Sequence, residues 1–255
     1  MRSFHQELTE DQYSRELEIT FPDCGPDRTA KLSTLLGYAV AIGGADYDAR
    51  GLTYERLAEL GQVFLLSRIA LRVHRIPALR EVLNVETWEE GIRGVHVQRS
   101  CVMVDEAGEA VVSARSQWIV VDPATHKLLR PGSFTARTIP ERGVELDCPP
   151  CGKVLLPAQG SEALGSRRVV WSDLDGNGHI YSGNYGGIFW DYLPADLQRR
   201  RFRDFSINYH KEAVLGETLT LSGCREENGY VIAGTGGSGL CFTARCVFDA
   251  ERRRV

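Results

Sequence analysis

No long apolar run exists in this sequence. None approaches the roughly 18 residues that span a bilayer, and the best, Leu35 to Gly44, already holds three glycines. The opening Met1 to Tyr13 is polar and acidic, without the apolar segment of a secretory signal, so the cytoplasm is the expected location. Positive charge is short as well. A formal net charge of −4 and a pI near 5.9 leave no general surplus for neutralising phosphates, which argues against nucleic-acid binding. The seven cysteines are odd in number and scattered, which reads as free thiols in a reducing compartment and not as a disulfide framework. Cys148-Pro-Pro-Cys151 has the spacer of a zinc or redox pair, but a structural zinc site wants a second pair at like spacing. Cys241 and Cys246 have four residues between them, so two linker thiols without metal is the preferred reading. No metal or other cofactor is expected.

What is present is globular. At 255 residues, 43% hydrophobic and 25% charged, the chain can bury a large core without staples, and its length suits about one and a half to two domains. Arg15 to Phe21 alternates as a short strand. From Lys31 the apolar residues Leu32, Leu35, Leu36, Ala39 and Val40 recur at helical spacing. Thr53 to Leu60 fits a second helix with Thr53 as its N-cap. The period then changes, and Val63 to Ile76, Arg80 to Trp88, Val95 to Val104 and Ala110 to Val121 read as strands. Between Leu129 and Ser166 the pattern fades among prolines, so residues 136–165 are expected to link two units, 1–135 and 166–255. In the second unit Arg167 to Trp171 reads as a strand and Tyr185 to Leu193 as a buried helix. Phe202 to Ala213, Thr218 to Arg225, Tyr230 to Gly234 and Leu240 to Phe248 close the chain as strands, with Glu227-Asn228-Gly229 as a hairpin turn.

The two units repeat. Writing Ile69 to Glu86 above Phe205 to Ser222 pairs His74 with His210, Arg75 with Lys211, Leu79 with Leu215 and Glu81 with Glu217. Each copy is one buried helix against a long antiparallel sheet, so the fold class is α+β with two tandem units. The copies differ where chemistry could sit, because Ile76 stands opposite Glu212. The paired His74 and His210 read as structural.

The densest polar cluster is Ser172 to Ile180, where Asp175, Asn177 and His179 alternate and would point one way on an extended backbone. A carboxylate, an amide and an imidazole are ingredients of acyl transfer at neutral pH. Calcium competes, since Asp173, Asp175, Asn177 and Gly178 fit an EF-hand loop, but the bidentate Glu is replaced by Asn184 and a strand stands where the first helix should be. A solvated turn is the plain alternative.

The segment from Ser172 to Pro194 resembles the signature of the acyl-ACP thioesterases, whose second domain carries D-x-N-x-H on a turn leading into its central helix. Asp175, Asn177 and His179 fall on those positions. Asn208-Tyr209-His210-Lys211-Glu212-Ala213 resembles the following strand, where the family has a catalytic Glu at the place of Glu212. Phe64-Leu65-Leu66-Ser67-Arg68, Val85-Glu86-Thr87-Trp88, and Gly108-Glu109 through Trp118-Ile119-Val120-Val121-Asp122 extend the likeness through the first unit. The resemblance implies two tandem hotdog domains and hydrolysis of fatty acyl thioesters on an acyl carrier protein, with the acyl chain in the first domain. There are three departures. His179-Ile180-Tyr181-Ser182 replaces His-Val-Asn-Asn, the helix aromatic Trp190 comes about two residues late, and Ala213 stands where plant members have Cys. The third excludes a cysteine nucleophile at that place and leaves carboxylate and water chemistry.

On that reading Glu212 positions and deprotonates water or attacks the carbonyl, and burial beside the central helix would strengthen it as a base. His179 polarises the water or protonates the leaving thiolate. Asp175 orients the imidazole or shares the base role, and Asn177 with a backbone N–H of Gly176 to Gly178 holds the oxyanion. Tyr181, Ser182 and Asn184 are candidate lining residues, and so are the Gly37 to Gly44 helix and Phe64 to Leu66. The expected partner is an acyl carrier protein bearing a fatty acyl-phosphopantetheine. Such carriers are acidic, which makes Arg199, Arg200 and Arg201, with Arg203, the candidate landing zone. A homodimer stays open, although a tandem fold already supplies the pairing that single hotdog units obtain by dimerising. Other acyl-thioester chemistries of this fold, acyl-CoA hydrolysis and dehydration, and acyl binding without turnover, are the competing functions.

Overall fold

The alternating segments assemble into one continuous antiparallel sheet. The computed structural model describes residues 4–141 and 143–249, so the outer ends of the expected 1–135 and 166–255 units, and position 142 of the linker, lie outside the described residues. The first repeat holds β1 (Gln6–Leu8), β2 (Gln12–Glu18), α1 (Leu32–Ala49), α2 (Tyr54–Glu59), β3 (Val63–Val73), β4 (Val82–Arg93), β5 (His96–Val104) and β6 (Ala110–Val121). The second holds β7 (Glu162–Arg168), α3 (Asn184–Asp191), α4 (Ala195–Gln198), β8 (Phe202–Tyr209), β9 (Thr218–Glu226), β10 (Gly229–Gly236) and β11 (Gly239–Phe248). Strand order is β1-β2-β4-β5-β6-β3-β8-β11-β10-β9-β7. Apart from β1, each half of that order mirrors the other about the β3–β8 pair, which is the tandem hotdog arrangement. Among the described residues no helix is long and apolar enough to cross a membrane.

At the seam Arg68 faces Asn208, Ile69 faces Ile207, Leu71 faces Phe205 and Arg72 faces Asp204. Side-chain alternation sends Ile69, Leu71, Phe205 and Ile207 into the core that also takes Leu35, Leu36, Ile188 and Phe189 from the two central helices. Arg68, Arg72, Asp204 and Asn208 go to the opposite face, where Arg72 Nε donates to Asp204 Oδ1 across the seam at 2.8 Å. The proline-rich segment covers this polar face. Cys148 donates its thiol to the Ala70 carbonyl at 3.5 Å and Cys151 to that of Arg115 at 3.0 Å. Asn208 bridges Gly152 O and Val154 N–H, at 3.0 and 2.8 Å, and Thr243 donates to Val154 O at 2.9 Å. Buried backbone polar groups need such partners, so this part of the linker is a fixed cover.

Several expected boundaries move. β7 begins at Glu162, inside the 136–165 range, and ends at Arg168, short of Trp171. Its side chains are mostly exposed, so it carries no apolar alternation, and a bulge between Ala163 and Gly165 shifts the register at a glycine with φ of +123°. In the first repeat the strand stops at Glu18, and Phe21 joins a one-turn 3₁₀ segment with Pro22 and Asp23. The strand expected to reach Ala213 ends at Tyr209.

The central helices cross closely because glycines line the contact. A Cβ on Gly186 would lie 2.7 Å from Leu36 Cδ1 and 3.1 Å from the Ser33 backbone nitrogen; one on Gly183 would lie 3.1 Å from Gly37 Cα. Gly186→Val is therefore expected to destabilise the fold by about 1–3 kcal/mol through overpacking. Gly44 is exposed on α1 with open space at its Cβ, so Gly44→Ala should stabilise by roughly 0.5–1 kcal/mol. Urea midpoints check both, and a neutral Gly186→Val would refute the tight crossing.

Candidate active site

The polar cluster is a tight hairpin rather than an extended run. After β7 the chain turns through Trp171 to Asp173, and the buried Asp173 carboxylate accepts from Val170 N–H at 2.9 Å and Arg167 Nη2 at 2.6 Å. Leu174 then pairs with Ile180 around a turn in which Gly178 takes φ of +80° and donates to Asp175 O at 3.0 Å. Asp175, Asn177 and His179 converge because the hairpin folds them to one side. The closing strand of this hairpin pairs onward to the segment after β8: Ile180 N–H donates to Ala213 O at 3.0 Å, and His179 bridges Val214. That backbone pairing sets His179 against Glu212, and Nε2 to Oε2 is 3.2 Å.

The Glu212 segment is itself held from both sides. Glu217 accepts Val214 N–H at 3.1 Å and Gly237 N–H at 2.7 Å, while Lys211 donates to Ser238 O. Both side chains therefore tie residues 211–217 to the β10–β11 turn. Sequence reading missed this bracing, although the repeat gave a signal. Glu81, the counterpart of Glu217, likewise accepts Ala78 N–H at 2.9 Å.

Asp175, Asn177, His179, Tyr181, Ser182 and Glu212 line one cavity of about 1230 Å³. Its other wall comes from the first repeat, with Val40 of α1, Val63 to Ser67 of β3, and Trp118 and Ile119 of β6. One end is thus polar and the rest largely apolar. The expected lining by Phe64 to Leu66 is present, whereas of the Gly37 to Gly44 helix Val40 alone reaches the cavity. Tyr185 and Tyr209 line it too and were overlooked. Tyr209 continues the inward face of Phe205 and Ile207, so its position was legible from parity. Its hydroxyl donates to Ser182 O at 2.9 Å, and burial pushes both phenols well up, keeping them protonated donors.

Several expected placements need correction. Glu212 is not buried; its side chain is 42% exposed and that of His179 27%, so water reaches both. Asp175 Oδ1 accepts Asn177 N–H at 2.9 Å and so holds the turn, while the imidazole takes its partner from Glu212. With Asn177 and Gly178 N–H spent on Asp175, Gly176 supplies the turn N–H without an acceptor among the described residues. Asn184 stays outside the cavity and donates to Asp173 O at 3.0 Å. Arg199, Arg200 and Arg201 precede β8, whereas Glu212 follows it. Eight strand residues at about 3.3 Å each separate them by roughly 25 Å. There Arg200 donates to Asp249 O at 2.5 Å and Arg201 to His74 O. The triplet therefore does not rim the site.

The first repeat keeps the scaffold without the His179–Glu212 pair. Ala30 N–H donates to Pro77 O at 2.8 Å and Thr29 bridges Ala78, so Thr29 and Ile76 occupy the places of His179 and Glu212. His74 and His210 are equivalent in both copies, their Nε2 atoms 3.1 Å from Ser113 and Thr243 hydroxyls.

A family model for the acyl-ACP thioesterase N-terminal domain matches residues 10–131, and one for the C-terminal domain of the same enzymes matches residues 160–234. The chain belongs to the acyl-ACP thioesterase family. It is 24% identical over 80% of its length to a chloroplastic oleoyl-acyl carrier protein thioesterase of Coriandrum sativum, and spans 61% of that protein. With a chloroplastic palmitoyl-acyl carrier protein thioesterase of Arabidopsis thaliana it shares 23% identity over 83% of its length and 56% of the relative. The chain thus spans a little over half the length of these two curated relatives. Its fold matches that of an acyl-ACP thioesterase from Bacteroides thetaiotaomicron, with a TM-score of 0.83, 22% identity and coverage of 93% and 98% of the two chains. It also matches that of a 12:0-ACP thioesterase from Umbellularia californica, with a TM-score of 0.74, 15% identity and coverage of 95% and 99%.

No cysteine lines the cavity among the described residues. Burial pushes the Cys148 and Cys151 thiols up to about 12, so at pH 8 the native state holds almost no thiolate at either, whereas an unfolded cysteine ionises near 8.5. Iodoacetamide at pH 8 should leave both unmodified in the folded protein and alkylate them in urea. Peptide mass spectrometry reads the difference, and rapid labelling of the native protein would refute their burial against the strand carbonyls.

Proposed function

We propose that this protein hydrolyses the thioester of a fatty acyl chain carried by an acyl carrier protein, releasing the fatty acid and the carrier's free thiol. The observation that carries the reading is the His179–Glu212 contact of 3.2 Å at the polar end of a cavity whose remaining wall is largely apolar. Family membership supports the substrate class, and the names of the curated relatives point to long acyl chains on a carrier protein.

In this mechanism the acyl chain lies along Val40, Phe64, Leu66 and Trp118 of the first repeat, and the thioester carbonyl sits at the hairpin. Glu212 accepts a proton from water as the water oxygen bonds to the carbonyl carbon. The oxyanion is held by the Asn177 side-chain amide and the Gly176 N–H, donors typically worth about 3 kcal/mol each in such sites. Collapse breaks the C–S bond, and the proton taken by Glu212 passes through His179 to the departing thiolate. Atoms balance as water plus thioester giving acid plus thiol. Asp175 fixes the turn that aims Asn177, which makes it a positioning residue. Ala213 is fully buried, and no thiol enters the scheme.

Thiol release from oleoyl- and palmitoyl-acyl carrier protein tests the reading. Glu212→Gln and His179→Gln are each expected to lower kcat by about 10²-fold or more, and Cys241→Ala, whose thiol donates to Gly239 O outside the cavity, should retain activity. Undiminished turnover in Glu212→Gln would remove the proposed base, and loss of water from a 3-hydroxyacyl-carrier protein without thiol release would make the enzyme a dehydratase.

A further inference from the structure

Beside the cavity mouth lies an apolar surface that the site does not use. Val169 N–H donates to Glu217 O at 2.8 Å and Gly216 N–H to Val169 O at 3.0 Å, so the chain leaving β7 runs alongside the Glu212 segment. This brings Val170 and Trp171 next to Val214 and Leu215. All four are out of the core: Trp171 is 80% exposed, Leu215 52%, Val214 47% and Val170 44%. Val214 belongs at once to this surface and to the cavity lining. Contiguous apolar patches of this kind mark interaction sites.

A cation stands at the outer edge of the patch, while the exposed carboxylate of Glu212 on its inner side belongs to the cavity. Arg168 is exposed, its Nη2 lies 3.8 Å from where a Cβ on Gly216 would stand, and among the described residues it has no carboxylate partner. The neighbouring carboxylates are already engaged: Asp173 by Arg167 and Val170 N–H, Glu217 by Val214 and Gly237 N–H.

The first repeat provides an internal control. Glu18 pairs with Val82 as Arg168 pairs with Thr218, so the two positions are equivalent. The rim there reads Glu18, Thr20, Phe21 and Ala78 in place of Arg168, Val170, Trp171 and Val214. An exposed aromatic is common to both rims and discriminates nothing. The two valines occur only beside the repeat that carries His179 and Glu212, whereas the first rim has an exposed cation of its own, Arg80, at the place of Gly216.

We propose that Val170, Trp171, Val214 and Leu215, with Arg168, form the surface on which the acidic carrier protein docks to deliver its thioester arm into the cavity. The proposal rests on the thioesterase reading above and replaces the arginine triplet at the far end of β8. An acidic carrier matches an unpaired guanidinium, and an apolar face on it covers the exposed Trp.

The test measures kcat and KM of the full chain, as wild type, Trp171→Ala and Arg168→Glu, on oleoyl-acyl carrier protein and on the oleoyl thioester of N-acetylcysteamine, which has no carrier to dock. Trp171 and Arg168 are exposed and outside the cavity lining, so both variants should fold. Docking at this rim raises KM for the carrier-bound substrate about tenfold in each variant and leaves the small thioester unaffected; added salt narrows the gap for Arg168→Glu. An unchanged KM on the carrier substrate, or an equal loss on both substrates, overturns the docking surface while thioester hydrolysis by the wild type stands. A wild-type dimer abolished by Trp171→Ala with KM unchanged overturns it too, in favour of a second copy as occupant. If the wild type releases thiol from neither substrate, the functional reading itself fails and the docking surface falls with it.

Discussion

The β3–β8 pairing is the constraint from which the site follows. The two strands are antiparallel, so the beginning of β3 lies beyond the end of β8. The chain leaves β8 toward Glu212 at the place where Val63 to Ser67 enter β3, and the two meet in one cavity. A polar cluster from one repeat is thereby given a largely apolar wall by the other. The seam is kept in register by parity on its two faces: apolar side chains under the helices, and the Arg72–Asp204 pair beneath the covering segment. A one-residue slip would exchange those faces and place the charges in the core.

Within that frame the reacting groups depend on backbone more than on each other. The His179–Glu212 contact is partly exposed, and a pair in contact with water holds itself together weakly. What fixes it is the ladder from Leu174–Ile180 to Ala213 and Val214, braced by Glu217 and Lys211. The same ladder is built in the first repeat around Thr29 and Ile76. Scaffold and chemistry are therefore separable in this fold.

Much of this was legible in the sequence, for identifiable reasons. Helical spacing marked α1, alternation marked β3 to β6 and β8 to β11, and the offset that opposes Ile76 to Glu212 pointed to the copy that holds the His179–Glu212 contact. What escaped has physical causes as well. β7 lies at the sheet edge with exposed side chains and so shows no apolar period. Asp175, Asn177 and His179 were read as extended, but two glycines close a turn there, and the convergence came out right for a different reason. The arginine triplet is near Glu212 in number and a full strand away in space. Tyr185 and Trp118 meet at the cavity through long-range topology that local periodicity does not encode. The polar cover of the seam looked like unstructured linker because its order comes from hydrogen bonds to strand carbonyls and to Asn208, not from any period of its own.

Joining the two copies in one chain also changes what substitution can do to them. In a symmetric dimer of identical units, every change appears twice, so a residue that widened one wall of a cavity would be present in the reaction centre's copy too. Here the copy bearing Thr29 and Ile76 is released from that bond. Its helix runs 18 residues against 8 in the other copy, and it can be lengthened, narrowed or re-lined without disturbing the His179–Glu212 contact there. Asymmetry of this sort lets grip and reactivity drift independently under selection.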